Sequence, residues 1–258
     1  MNLGLIELVT ERFVAFTQRF IVGAPESFAY TLKVDHTYHV LEVAKRICQE
    51  EKYPDDISLA LCLGALLHDV GRFPQYQQFR TFRDRDSVNH AALSVRFILR
   101  EKMLQSVPGP VRRLVLGAVF LHNTRELPPR LSPTLRLVAE AVRDSDKLDI
   151  MRIMIEHFAP SRAAHPEVSL DAKEHPTNYS DKVINAVLAR EVSDYRNIVW
   201  VNDFKLLIIG WLYDLNTPTS RRLLSETQRL EGIFALLPQD ERIQKLHAQI
   251  QQDLADLH

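Results

Sequence analysis

Glycine and cysteine are scarce in this chain: 258 residues carry eight glycines and two cysteines. Asn-Gly and Asp-Gly, the dipeptides that favour tight hairpins, do not occur. That absence weighs against a β-rich fold. Neither sign of charge dominates. Lys and Arg total 32 and Asp and Glu total 33, for a formal net charge of −1. No global field draws such a chain to nucleic acid or to a membrane surface, so neither partner is expected. The longest unbroken apolar run falls short of a membrane span. Met1-Asn2-Leu3-Gly4 is not a basic segment leading into a long apolar one, and a cytoplasmic protein is expected. Cys48 and Cys62 sit in apolar helical patterns without CxxC spacing, which indicates reduced core residues rather than a zinc knuckle.

What the chain does have is helical periodicity. Hydrophobic residues make up 46% of it, and they recur at spacings of three and four almost throughout. The expected class is all-α. The length suits one large domain or two small ones.

The stretch Leu61-Cys62-Leu63-Gly64-Ala65-Leu66-Leu67-His68-Asp69-Val70-Gly71-Arg72 organises the rest. A segment apolar on all sides is a buried element. This one ends in two strongly polar groups, whose burial is costly unless both are satisfied. A metal ion satisfies imidazole and carboxylate together. The alternative is a helix that surfaces at His68.

Other histidines and carboxylates close apolar faces. His36 shares a face with Val40, Ala44 and Ile47, while His39 lies off it. Asp55 or Asp56 is the expected N-cap of the central helix, and Ser87 that of the helix beginning near His90. His122 ends the stripe Val111, Leu114, Val115, Ala118. Ser132-Pro133 opens a helix whose stripe is Leu135, Val138, Val142, Asp146, Asp149 and Ile153. Asp146 stands where that pattern requires an apolar residue. A bound cation answers this, and so does a salt bridge to an arginine. Residues 71–86 read as a loop rich in arginine and aromatics. Arg72, Arg80, Arg83 and Arg85 there suggest a local anion site, or a solvated loop with Arg72 paired to Asp84 or Asp86. Residues 160–179 read as a polar linker or lid, with His165 and His175 at the surface. A polar amphipathic helix from about Asp240 closes the chain.

Taken in order, His36, His68-Asp69, His90, His122 and Asp146 give H…HD…H…H…D. This order resembles the HD-domain superfamily of metal-dependent phosphohydrolases. His68-Asp69-Val70-Gly71-Arg72 is similar to its HDxG(K/R) motif. Asp144-Ser145-Asp146-Lys147-Leu148-Asp149 is similar to its closing DADKLD-type motif. The resemblance spans about Thr31 to Met154. It implies an HD-type helical bundle, 1–258 as a single domain, with a metal-binding core at about 31–154 and a helical extension at about 160–258. In the basic family set one metal is held by His36, His68, Asp69 and Asp146. His90 and His122 match the extra positions of two-metal branches, where Asp69 bridges two divalent ions, iron or manganese above all. The implied reaction is attack of a metal-bound hydroxide on a phosphate ester, of a nucleotide or related small molecule. Asp69, Arg72 and Lys147 are the expected catalytic residues. Arg72, Arg80, Arg83, Arg125 and Lys147 are the expected phosphate contacts. A homodimer is compatible with this reading.

The chain departs from the HD-GYP branch that cleaves cyclic di-GMP. It has His122-Asn123 where that branch has adjacent histidines, Leu32 where its three-metal members have Glu, and no Gly-Tyr-Pro motif. Two other readings remain open. One is a mixed-valence di-iron oxygenase of similar ligand set. The other is a non-catalytic nucleotide-binding module.

Overall fold

The computed structural model describes residues 2–22, 24, 27–158 and 172–256. Every regular element among the described residues is helical, with one isolated bridge between Lys173 and Trp200. The backbone resolves into two compact units, Met1–Asp146 and Lys147–His258, where the sequence reading expects a single domain. The break lies inside a long helix.

The first unit is built on α1 (Leu3–Ile21), α2 (Ser27–Glu50), α3 (Asp55–Leu67), α4 (Arg72–Phe79), α5 (His90–Arg100) and α6 (Gly109–Leu121), with the first part of α7 (Pro133–His157). Helix α3 is the axis, packed by α1, α2 and α6. Every residue from Ser58 to Leu67 is buried, as an all-round apolar sequence requires. Gly64 has a packing reason: a Cβ there would lie 2.9 Å from Cγ2 of Val142 on α7. The stretch Asp55–Phe79 is apolar enough to cross a membrane by length and composition, yet 83% of its apolar window is buried inside the protein. Phe13, Phe16 and Phe20 of α1 gather around Phe73 of α4, their ring centroids 5.9–6.4 Å from its own.

Three local expectations need correction. Residues 72–79 form α4 rather than loop, because Phe73 and Tyr76, one turn apart, both bury. Pro54 occupies the N-cap of α3, and Asp55 and Asp56 lie in its first turn, where the helix dipole favours acids. Asn89, not Ser87, caps α5 by accepting from the Ala92 amide at 2.8 Å. Ser87 instead follows a 3-10 turn at Asp84–Asp86.

The second unit continues α7 and adds α8 (Asp181–Leu188), α9 (Val201–Gly210), α10 (Pro218–Glu226), α11 (Arg229–Phe234) and α12 (Glu241–Ala255). All of α9 is buried. Its Asp203 accepts from the amides of Ser180, Val199 and Trp200 and from the Ser180 hydroxyl, which satisfies a fully buried carboxylate. Helix α12 buries Ile243, Leu246 and Ile250 along one stripe. Only the end of the expected linker, from residue 172, is described, and there His175 is exposed. His165 lies outside the described residues.

Candidate metal centre

Two helices end in a histidine that caps its own last turn. His68 follows α3, and its Nδ1 lies 2.7 Å from the Ala65 carbonyl. His122 follows α6, and its Nδ1 lies 2.7 Å from the Val119 carbonyl. The last four carbonyls of a helix have no intrahelical partner, so each ring supplies a missing donor. A carbonyl can only accept, which assigns the proton to Nδ1 and leaves Nε2 as an acceptor. Local capping thus aims both Nε2 lone pairs at Asp69. His90, the first residue of α5, reaches the same end by another route. Its Nδ1 lies 2.8 and 2.7 Å from the two carboxylate oxygens of Asp84.

Asp69 is the hub of the arrangement. Its Oδ2 lies 3.7 Å from Nε2 of His36 and 3.6 Å from Nε2 of His68. Its Oδ1 lies 3.5 Å from Nε2 of His90 and 3.7 Å from Nε2 of His122. Asp146 joins the first side only, with Oδ1 3.1 Å from Nε2 of His36 and 3.6 Å from Nε2 of His68. Within each pair the Nε2 atoms approach closely, to 3.2 Å for His36 and His68 and 3.0 Å for His90 and His122.

His36–His68–Asp69 and Asp69–His90–His122 are therefore two buried groups of donor atoms that could each hold a metal ion. The chemistry of the set fits a cation. Between His90 and His122 acceptor faces acceptor, which is repulsive unless a positive charge lies between. Imidazole and carboxylate without thiolate suit first-row divalent metals. All six sequence-derived metal candidates meet here.

The electrostatics agree. Burial pushes Asp69 up, but the Lys33 and Arg72 charges outweigh it and hold its carboxyl well below the usual range. Burial likewise opposes ionisation of Asp146, and a hydrogen bond from Nε2 of His36, 3.1 Å from Oδ1, overcomes it and holds the carboxyl well below the usual range. Burial and the Arg72 charge push His90 down to about 3, so its ring is neutral and able to ligate at physiological pH. Asp84 stays ionised because its hydrogen bond from His90 and the Arg72 charge outweigh its own desolvation.

Gly71 draws the HD turn onto α5. A Cβ there would meet the His90 carbonyl oxygen at 2.5 Å and the Ser94 amide nitrogen at 2.6 Å. Its φ of −67° is ordinary, so the glycine serves close approach rather than an unusual turn. The Gly71 amide also donates to Oγ of Ser94 at 2.8 Å. This seam sets His90 against Asp69.

The expected phosphate contacts separate. Arg72 lies at the centre: its Nε is buried 3.4 Å from Oδ1 of Asp69 and makes no hydrogen bond. Its Nη1 donates to Phe82 O, Gln75 Oε1 and Asp84 Oδ1. Arg80 ends α4 and lies over the Tyr76 ring. Arg83 pairs with Asp86 at 3.0 Å. Arg125 is exposed, and its carbonyl accepts from Arg143. Lys147 is buried within the second unit, and its ammonium donates to the Asp214 carboxylate and carbonyl at 2.5 and 2.6 Å.

Two residues escaped the sequence reading as site members. Lys33 donates to Oδ2 of Asp69 at 2.8 Å. Its signal was available, since it lies one turn before His36 on the same face. In the sequence Asp84 is one of two candidate counter-ions for Arg72, and the structure pairs the two at 3.2 Å. Nothing in its acidic and basic surroundings marks it as the partner of a histidine.

The HD domain family model matches residues 34–184, a span that holds all six metal candidates. No curated protein and no solved structure matches the chain. Motif order, paired His/Asp clusters and a family match over more than half the sequence agree: the chain belongs to the HD-domain family, whose members are generally metal-dependent hydrolases.

Proposed function

We propose that this protein is a phosphohydrolase with two divalent metal ions, acting on a phosphomonoester or phosphodiester of a nucleotide or similar small molecule. The observation that carries this reading is the division of Asp69. Each of its oxygens faces a separate pair of histidine Nε2 atoms, the arrangement of a bridging ligand. Divalent ions held there would supply Lewis acidity and a water of near-neutral pKa.

The remaining work falls to side chains. His36, His68, Asp69 and Asp146 form the fuller set, while His90, His122 and Asp69 leave more of an ion's coordination open to water or substrate. Arg72 and Lys33 flank opposite oxygens of Asp69 and both lie near the Phe82 ring, 5.7 and 5.3 Å from its centroid. Two cations so placed suit a phosphate whose charge shifts during hydrolysis. Neither can ligate metal while protonated.

The test is elemental analysis of protein purified without added metal, followed by a screen of nucleotides and phosphodiesters with iron and with manganese. Metal-dependent release of phosphate or a phosphomonoester supports the reading. Oxygen consumption by the iron-loaded protein without hydrolysis would replace it with the di-iron oxygenase reading.

A further inference from the structure

His90 differs from its neighbours in what fixes it. His68 and His122 are oriented by carbonyls of their own helices. Mutation of a side chain cannot remove those. His90 is oriented by one side chain, Asp84, reached through the segment between α4 and α5. That carboxylate gathers donors from three directions. Gln75 Nε2 donates to Oδ1 at 3.0 Å, and Arg72 Nη1 does so at 3.2 Å. Asn123 Nδ2 donates to Oδ2 at 3.1 Å, and the His90 amide to the same atom at 3.3 Å.

We infer that Asp84 is a positioning residue that sets the affinity of the second metal position, the one formed by Asp69, His90 and His122, independently of the first. This rests on the two-metal reading above. The physics is that of a carboxylate behind a ligating imidazole: it fixes the tautomer, holds the ring plane and raises the basicity of the opposite nitrogen. Asp84 touches neither Nε2 atom, so it acts through His90. Because Arg72 is held by the same carboxylate, disordering Asp84 also loosens the cation beside Oδ1 of Asp69. Asn123 belongs to the device, as a donor that keeps Asp84 turned toward His90.

The test is Mn2+ titration of the full chain after chelator treatment, read by elemental analysis and by electron paramagnetic resonance. Two ions sharing a bridge give a spin-coupled spectrum, whereas one gives an isolated six-line signal. The wild type is expected to take two equivalents with the coupled signal. Asp84→Asn, in which an amide NH2 must face the donors of Gln75, Arg72 or Asn123, is expected to keep the first ion. It should bind the second about 10- to 100-fold more weakly and show the isolated signal at limiting Mn2+. Asn123→Ala, which leaves the Asp84 charge in place, should weaken the second ion in the same direction by a smaller factor, and it serves if Asp84→Asn fails to fold. Two equivalents at wild-type affinity in both variants would overturn the inference and leave the two-metal reading intact. Equal weakening of both ions would also overturn it. A wild type that takes only one equivalent would overturn the two-metal reading and the inference together.

Discussion

Lys33 holds its ammonium 2.8 Å from Oδ2 of Asp69, the oxygen that faces His36 and His68. The lysine is largely covered, with 15% of its side chain exposed, so the pair is little screened by solvent. Lys33→Met removes the charge and keeps an unbranched side chain of similar length. Metal content should hold, and kcat/KM on a phosphate ester should fall by roughly 10- to 100-fold. Steady-state kinetics with metal measured in the same samples checks this. Wild-type kinetics would assign Lys33 to folding alone.

Arg72→Ala should cost more, because it touches two functions. The guanidinium flanks Oδ1 of Asp69 and also satisfies Phe82 O, Gln75 and Asp84. Loss of the charge near the reacting phosphate should lower kcat/KM by tens- to hundreds-fold, about 2–4 kcal/mol in the transition state. Loss of the donors should lower unfolding stability by about 1–3 kcal/mol. Chemical denaturation separates the second effect from the first. Unchanged kcat/KM at full metal occupancy would contradict the anion-binding role.

Gly71→Ala tests the seam between the HD turn and α5. The added methyl would meet backbone atoms of His90 and Ser94 at 2.5 and 2.6 Å, and backbone cannot step aside as a flexible side chain can. Stability should drop by about 1–3 kcal/mol or more. The shift of α5 should also move His90, so metal stoichiometry should fall along with the melting temperature. A normal melt with full metal content would show that the seam is loose.

Protein kept free of metal by chelation should lose stability on acidification in a defined window. His90 is depressed from 6.5 to about 3 in the folded state. Between those values the unfolded chain binds the proton and the folded chain does not. Stability is therefore complete above about pH 6.5 and declines as pH falls toward 3, by up to about 1.4 kcal/mol per pH unit for one group. The lowered carboxyls of Asp69 and Asp146 add to the decline below their ordinary value of 3.8. Urea unfolding at a series of pH values gives the curve. His90→Gln should flatten its upper part, and an unchanged slope there would contradict the assignment.

Much of this was legible in the sequence because it is written in periodicity. Helices α1, α2, α3, α6 and α7 follow from apolar spacing, and His36, His122 and Asp146 stood out because they interrupt apolar faces. Helix α4 was not legible, since its arginine and glutamine residues mask the two buried aromatics that hold it down. The N-caps at Pro54 and Asn89 depend on local backbone geometry that spacing does not encode. Lys33 could have been found by stepping one turn back from His36. Asp84 could not, because its role arises from where the segment between α4 and α5 comes to rest, a matter of long-range packing.

Asp69 joins the two metal positions, one through each carboxylate oxygen, if the site is binuclear. Anomalous diffraction from crystals of the manganese-loaded protein addresses this directly. Two peaks are expected a few ångströms apart, one among His36, His68 and Asp146 and one between His90 and His122, with a different oxygen of Asp69 on each. A single peak, or none at full manganese in solution, would contradict it.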